Sequence, residues 1–212
     1  MAVNVNGGST LATINSNGAL GIGSVTLNAA AGVNTLDIVN SSGNPFFVWG
    51  IFATHSTAKQ VFIHNGGWCQ ATIANWTGLS VGWTFLNSLS LLPTPDLFIV
   101  QETVNDGVQG TPISSFKASH QTLITALKNT GADVIEMIGP PPEVTQATQD
   151  PYAYVIRELC AQNKLIEINL TALLSGSWTN ANTQGLMYDD YHCLQGGYAK
   201  AAAALTPILA QR

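Results

Sequence analysis

The chain is predicted to fold as an α/β domain of three layers, with helices on both faces of a parallel sheet. Two observations carry that prediction. From about residue 60 onward, short apolar runs alternate with segments whose apolar residues recur at helical spacing. Each apolar run also stops in a polar or glycine-rich stretch, as expected at the edge where such sheets bind ligands. A parallel sheet is covered on both faces, so its strands read as continuous apolar runs rather than alternating ones. At 212 residues, 46% of them hydrophobic, the chain has material for one sizeable core. The expected organisation is a single domain over residues 1–212, with 1–8 as an N-terminal extension.

The elements follow in order. Met1 to roughly Asn44 is rich in Gly, Asn, Ser, Thr and Ala, with strand-like runs at Ser9–Ile14 and Thr35–Val39. Such composition also suits a β-rich stalk or fibre, but no fixed-period repeat supports that. Pro45 to Ser56 reads as a short apolar helix with proline near its start. Val61-Phe62-Ile63-His64 is the first buried-strand candidate and Leu97–Val100, announced by Pro95-Asp96, the second. Asp133–Ile138 runs into Gly139-Pro140-Pro141-Pro142, and Lys164–Ile168 is the last strand. Between them, Ile113, Phe116, His120, Leu123, Ile124 and Leu127 make one helical stripe that ends at Gly131. Tyr154, Val155, Leu159 and Cys160 make another, and an Ala-rich run from Tyr198 to Leu209 predicts a final helix.

Composition excludes several functions. Only 9% of residues are charged, against roughly 25% in ordinary globular proteins. The net charge is −5 and lysines and arginines do not cluster, which argues against nucleic acid and anionic membrane surfaces as partners. No apolar run reaches the roughly 18 residues of a membrane span, and the N-terminus lacks the basic-then-apolar layout of a secretory signal. The three cysteines, Cys69, Cys160 and Cys193, have no metal-ligand spacing and cannot all pair.

The chemistry-bearing stretch lies just ahead of the last helix, in Tyr188-Asp189-Asp190-Tyr191-His192-Cys193. A hydroxyl nucleophile needs an imidazole held in one tautomer by a carboxylate, and Asp189 and His192 can supply both from one short loop. After the strand Leu97–Val100 comes Gln101-Glu102-Thr103-Val104-Asn105-Asp106-Gly107, and after Val61–Ile63 comes a long polar loop from His64 to Trp76. His120, on an apolar stripe, reads as structural, and so does Trp76. His64 is a candidate for shaping a pocket.

This order resembles the SGNH (GDSL-like) hydrolases, including their sialate O-acetylesterase-like members. Their G-x-N-D after the third strand is matched by Thr103-Val104-Asn105-Asp106, with Thr in place of Gly. Their D-x-x-H is matched by Asp189 and His192, and their second block partly by Asn65, Gly67, Ile73 and Trp76. The glycine that usually donates a backbone N–H falls at Gln70. The resemblance covers residues 60–210 well and the first 60 poorly. It implies a flavodoxin-like parallel sheet, no metal or organic cofactor, and an oxyanion hole formed by the backbone of Gln70 and the side chain of Asn105.

No Gly-Asp-Ser occurs, and two serines compete for the nucleophile. Ser16, in Asn15-Ser16-Asn17-Gly18, is similar to the start of acetylesterase-like members. Ser24, in Gly23-Ser24-Val25-Thr26, is similar to D-S-x-T. The better preceding strand favours Ser16. The expectation is a serine esterase that removes acyl groups, O-acetyl above all, from a small molecule or polysaccharide. Its setting is extracellular or virion-associated rather than cytoplasmic, and its oligomeric state is open. The rival is a non-catalytic carbohydrate-binding or structural domain of a phage tail or surface protein, which the low charge and Asn/Thr/Gly-rich start also suit.

Overall fold

The computed structural model describes residues 2–5, 12–13, 35–39, 63, 66–67, 70–78, 85–89, 95–143 and 146–210. The chain divides into two compact units, Met1–Gly66 and Gly67–Arg212.

The first unit carries a three-stranded antiparallel sheet. Its middle strand is β1 (Ala2–Val5), flanked by β2 (Ala12–Thr13) and β3 (Leu36–Val39). Ala2 faces Thr13 on one side and Val39 on the other. The strand expected at Ser9–Ile14 is thus two residues long among the described residues, and that at Thr35–Val39 is present as β3. The buried strand expected at Val61–His64 is corrected at Ile63, which lies outside any strand and is 92% exposed. The rest of that stretch and the helix expected at Pro45–Ser56 lie outside the described residues.

The second unit is a three-layer α/β/α sandwich. Its helices are α1 (Ile73–Thr77), α2 (Phe85–Ser88), α3 (Val104–Gln109), α4 (Ile113–Asn129), α5 (Gln146–Asn163), α6 (Leu170–Leu173), α7 (Trp178–Thr183) and α8 (Gln195–Leu209). The strands β4 (Leu97–Val100), β5 (Asp133–Ile138) and β6 (Ile166–Asn169) are parallel, in the order β4-β5-β6. Leu97 pairs with Asp133, and Ile135 with Ile166.

β5 shows why both faces must be covered. Side chains alternate across a strand. Val134 and Ile138 join the core made with α4 and α5, together with Phe116, Leu123, Ile124, Ile156 and Leu159. Ile135 and Met137 join a second core with Leu170, Leu174, Ala181, Leu186 and Ala201 on the other face. A fully buried Leu, Ile or Phe contributes roughly 1.5–3 kcal/mol, so these two clusters hold the layers together.

The stripe of α4 is as its spacing predicts: Phe116, His120, Leu123, Ile124 and Leu127 are all buried. Gly131, at φ 87°, takes the left-handed conformation that ends it. The stripe of α5 needs one correction. Val155, Leu159 and Cys160 are buried, but Tyr154 is 67% exposed, and Tyr152 and Ile156 take its place in the core. At about 100° per residue, Tyr154 points about 180° away from the centre of the face made by residues 152, 155, 156, 159 and 160. Lys164, expected to open a strand, instead closes α5 at φ 57°, and the Leu165 N–H bonds the Cys160 carbonyl at 2.9 Å. β6 therefore starts at Ile166.

The final helix begins three residues before the Ala-rich run. Its first turn packs against the strand-like segment 186–193. A Cβ on Gly197 would stand 2.7 Å from the Leu186 carbonyl oxygen and 2.8 Å from Cys193 Cβ, so only glycine fits there.

Candidate active site

The carboxyl ends of the strands are stitched together by side chains. Thr103 Oγ1, after β4, accepts from the Gly139 N–H after β5 (3.2 Å), and the Thr171 hydroxyl, after β6, donates to the Gly139 carbonyl (2.9 Å). The Glu143 N–H, further along the loop after β5, donates to the Asp190 carbonyl (3.0 Å). The Asp189/His192 loop and the segment after β4 therefore lie on the same edge of the sheet, where open α/β sheets bind ligands.

The loop carrying Asp189 and His192 is a tight turn closed by a bridge between Met187 and Cys193. The Tyr188 N–H donates to the His192 carbonyl (2.7 Å), and the Trp178 indole donates to the Asp189 carbonyl (3.1 Å). The Asp189 carboxylate serves two purposes. Oδ1 accepts the N–H groups of Tyr191 (2.8 Å) and His192 (2.7 Å), which fixes the turn. The carboxylate also faces His192 Nδ1, with Oδ2 at 2.8 Å and Oδ1 at 3.0 Å. Partial burial opposes its charge, but the Tyr191 N–H, the His192 ring, the His192 N–H and the imidazole charge outweigh that. Together they hold the Asp189 carboxyl below its ordinary range. With Nδ1 engaged, Nε2 is the nitrogen left for a proton in transit, and the ring is 68% exposed.

The second group of residues is organised by α3. Asn105, Asp106 and Gln109 all reach from this short helix to one stretch of chain, residues 70–73. The Asn105 amide donates to the Ala71 carbonyl (2.8 Å) and the Gln109 amide to the Gln70 carbonyl (3.0 Å). Asp106 Oδ2 accepts the Ile73 N–H (2.8 Å). An amide nitrogen has two N–H donors, so Asn105 keeps one after bonding Ala71. Gln70 stands at φ 60°, in the left-handed region that favours glycine, at a cost of about 1 kcal/mol. The neighbouring bonds hold it there. Thr72 starts α1, and Asn75 Oδ1 accepts both its N–H (2.8 Å) and its hydroxyl (2.9 Å).

Of the residues singled out from the sequence, Asp189 and His192 are brought together in one turn, and Asn105 and the Gln70 backbone in one patch. Ser16, Ser24, His64 and Asn65 lie outside the described residues. Asp106 and Gln109 were missed as anchors, although Asp106 stood inside the quoted motif. Also missed is the contact between His120 Nε2 and Glu136 Oε2 (2.9 Å), whose side chains are 0% and 1% exposed. A glutamate inside the apolar run Asp133–Ile138 was the available signal. Glu102, on the link between β4 and α3, has its carboxyl pushed up to about 8. The causes are burial, then the nearby charges of Asp106 and Glu136.

No protein-family model matches the chain, and no curated protein matches it. Solved structures do. It is similar to a peptidoglycan O-acetylesterase (17% identity, TM-score 0.56), covering 67% of this chain and 44% of that one. It is similar to an acetyl xylan esterase (17% identity, TM-score 0.52), covering 64% of this chain and 77% of that one. A third is described as a lipolytic protein of the G-D-S-L family from Desulfitobacterium hafniense (14% identity, TM-score 0.50, covering 61% and 70%). The fold is therefore that of the SGNH hydrolases, as the motif order implied. The chain spans less than half the length of the peptidoglycan O-acetylesterase.

Proposed function

We propose that the chain is a serine esterase that removes acyl groups, O-acetyl in particular, from a carbohydrate. The observation that carries this reading is the Asp189 carboxylate on His192 Nδ1, at 2.8 and 3.0 Å. A carboxylate in that position selects the tautomer whose Nε2 accepts a proton and stabilises the imidazolium that results. In this mechanism His192 takes the proton of the serine hydroxyl, Ser16 in preference to Ser24, as the hydroxyl oxygen attacks the ester carbonyl. The tetrahedral oxyanion is held by the N–H groups of Ser16 and Gln70 and by the Asn105 amide. Collapse expels the alcohol, protonated by His192, and water then hydrolyses the acyl-enzyme by the same steps. The acyl and carbohydrate parts are supported by what the similar solved proteins are named for, acetyl xylan and peptidoglycan O-acetyl groups.

The test is hydrolysis of p-nitrophenyl acetate by the wild type and by Ser16→Ala, Ser24→Ala, His192→Ala and Asn105→Ala. His192→Ala and Ser16→Ala should abolish turnover. Asn105→Ala should lower it by roughly 10²–10³, the usual loss for one oxyanion donor, with circular dichroism unchanged. A wild type no faster than His192→Ala would sink the esterase reading, and loss confined to Ser24→Ala would move the nucleophile. Release of acetate from acetylated xylan and from O-acetylated peptidoglycan then separates the carbohydrate classes.

A further inference from the structure

The turn that carries His192 sets a second ring beside it. The bridge between Met187 and Cys193 is antiparallel, and two backbone hydrogen bonds frame it. The Tyr188 N–H donates to the His192 carbonyl (2.7 Å) and the Leu194 N–H to the Leu186 carbonyl (2.8 Å). That register puts Tyr188 directly opposite His192. Successive side chains of such a ribbon point to opposite faces. Met187 and Cys193 point inward, where both are buried in the core on that side of the sheet. Tyr188 and His192 therefore point outward together: Tyr188 is 74% exposed and the His192 ring 68%. Residues directly opposite have Cβ atoms roughly 4.5–5.5 Å apart, close enough for one ligand to touch both rings.

Single exposed tyrosines are common on protein surfaces. Tyr188 differs in its neighbour, because a molecule that reaches His192 Nε2 comes within reach of the phenol ring. The chemistry decides which part of an ester that is. When the tetrahedral intermediate collapses, the bond from the acyl carbon to the alcohol oxygen breaks, and Nε2 gives its proton to the departing oxygen. The alcohol part of the ester thus sits at the imidazole, while the oxyanion sits at its own donors. A tyrosine offers a flat apolar body and a polar tip. A pyranose matches both, with one face of C–H groups and a rim of hydroxyls. A short alkyl alcohol matches neither.

We infer that Tyr188 is a specificity-determining residue: it stacks on the sugar ring that bears the acyl group and so selects a carbohydrate as the alcohol part of the ester. The inference rests on reading His192 as the general base of an esterase.

The test compares ethyl acetate, whose alcohol is too small to cover a phenol ring, with an acetylated xylo-oligosaccharide and an O-acetylated peptidoglycan fragment. The proteins are the wild type, Tyr188→Ala, Tyr188→Phe and Tyr154→Ala. Tyr154 is the control, an exposed tyrosine on the outer face of α5. Tyr188→Ala should raise KM for the acetylated saccharide roughly 3–10-fold, the usual worth of one aromatic contact, with kcat changing less than about two-fold. Its KM for ethyl acetate should not change. Tyr188→Phe keeps the ring and should hold both KM values within about two-fold, as should Tyr154→Ala. An unchanged saccharide KM in Tyr188→Ala overturns the inference, and so does an equal rise for ethyl acetate or for Tyr154→Ala. A wild type that hydrolyses ethyl acetate and neither saccharide overturns it as well. Where the wild type hydrolyses no ester at all, the deacetylated saccharides decide by NMR titration. Tyr188 ring protons that shift with them defeat the esterase reading and leave the sugar contact standing. Ring protons that do not shift overturn the contact too.

Discussion

Glu102 keeps its proton at a pH where carboxyls are normally ionised. The link from β4 to α3 places it beside Asp106 and Glu136, and burial removes the water that would solvate a third negative charge. The sign of its effect on stability follows. The folded protein holds the Glu102 proton up to about 8, whereas the unfolded chain releases it near 4.5. Folding is therefore least penalised below the lower value and loses stability steadily as pH rises through the window between them. Glu102→Gln has no proton to lose. It should melt close to the wild type at pH 4.5 and above it at pH 8.5. The gap should reach at least about 1 kcal/mol, or roughly 2–4 °C for a domain of this size. Thermal unfolding followed by circular dichroism at the two pH values checks this, and parallel loss in both proteins would show that Glu102 is not held neutral. Asp189 behaves in the opposite sense. Its carboxyl is held low, so what it adds to the turn is present above its ordinary range and disappears as pH falls.

At the scale of elements, α3 and α8 show how little helix the site needs. α3 has six residues, Val104 to Gln109, and contains Asn, Asp and Gly, which are poor helix formers. It persists because Asn105, Asp106 and Gln109 each hold a fixed partner in residues 70–73. α8 is placed by contact at its start. Gly197 lets the helix approach the Leu186 carbonyl and Cys193 more closely than any Cβ allows. Gly197→Ala must push the helix away from the turn that carries His192. We expect a loss of about 1–3 kcal/mol, the usual range for overpacking, even though alanine is the better helix former. Urea unfolding measures it; an unchanged or raised midpoint would mean that the contact relaxes without strain.

On the scale of the whole molecule, the sequence was legible wherever periodicity and burial coincide. β4, β5, α4 and α8 announce themselves because their apolar residues follow the periods of strand and helix. Tyr154 misled because an aromatic residue counts as apolar in any pattern, and only its angle on the helix shows that it faces out. α3 was not legible as a helix, since its stability comes from side-chain bonds to residues more than thirty positions away. The same holds for His120 and Glu136. A histidine on an apolar stripe and a glutamate in an apolar strand each look incidental until the fold brings them to 2.9 Å. Asp189 and His192 were legible because they are neighbours in the chain. The competing serines lie where glycine, asparagine and serine leave no period to read, outside the described residues.

That difference in chain separation has a consequence in time. Asp189 and His192 close a loop of three residues. The bonds that hold residues 70–73 close loops of 33, 34 and 39. Loop-closure entropy grows with the logarithm of length, so the longer loops cost roughly 2 kcal/mol more to close. The parallel strands likewise have to find one another across intervening helices, which is slow. During refolding the imidazole can be paired with its carboxylate long before residues 70–73 are in place. If the proposed esterase reading holds, recovery of ester hydrolysis after dilution from denaturant should keep step with protection of the β5 amides in pulse-labelled hydrogen exchange. Hydrolysis that returns before those amides are protected would contradict this ordering. In the proposed mechanism, a chain caught midway would carry a finished base and nothing yet to steady the charge it creates.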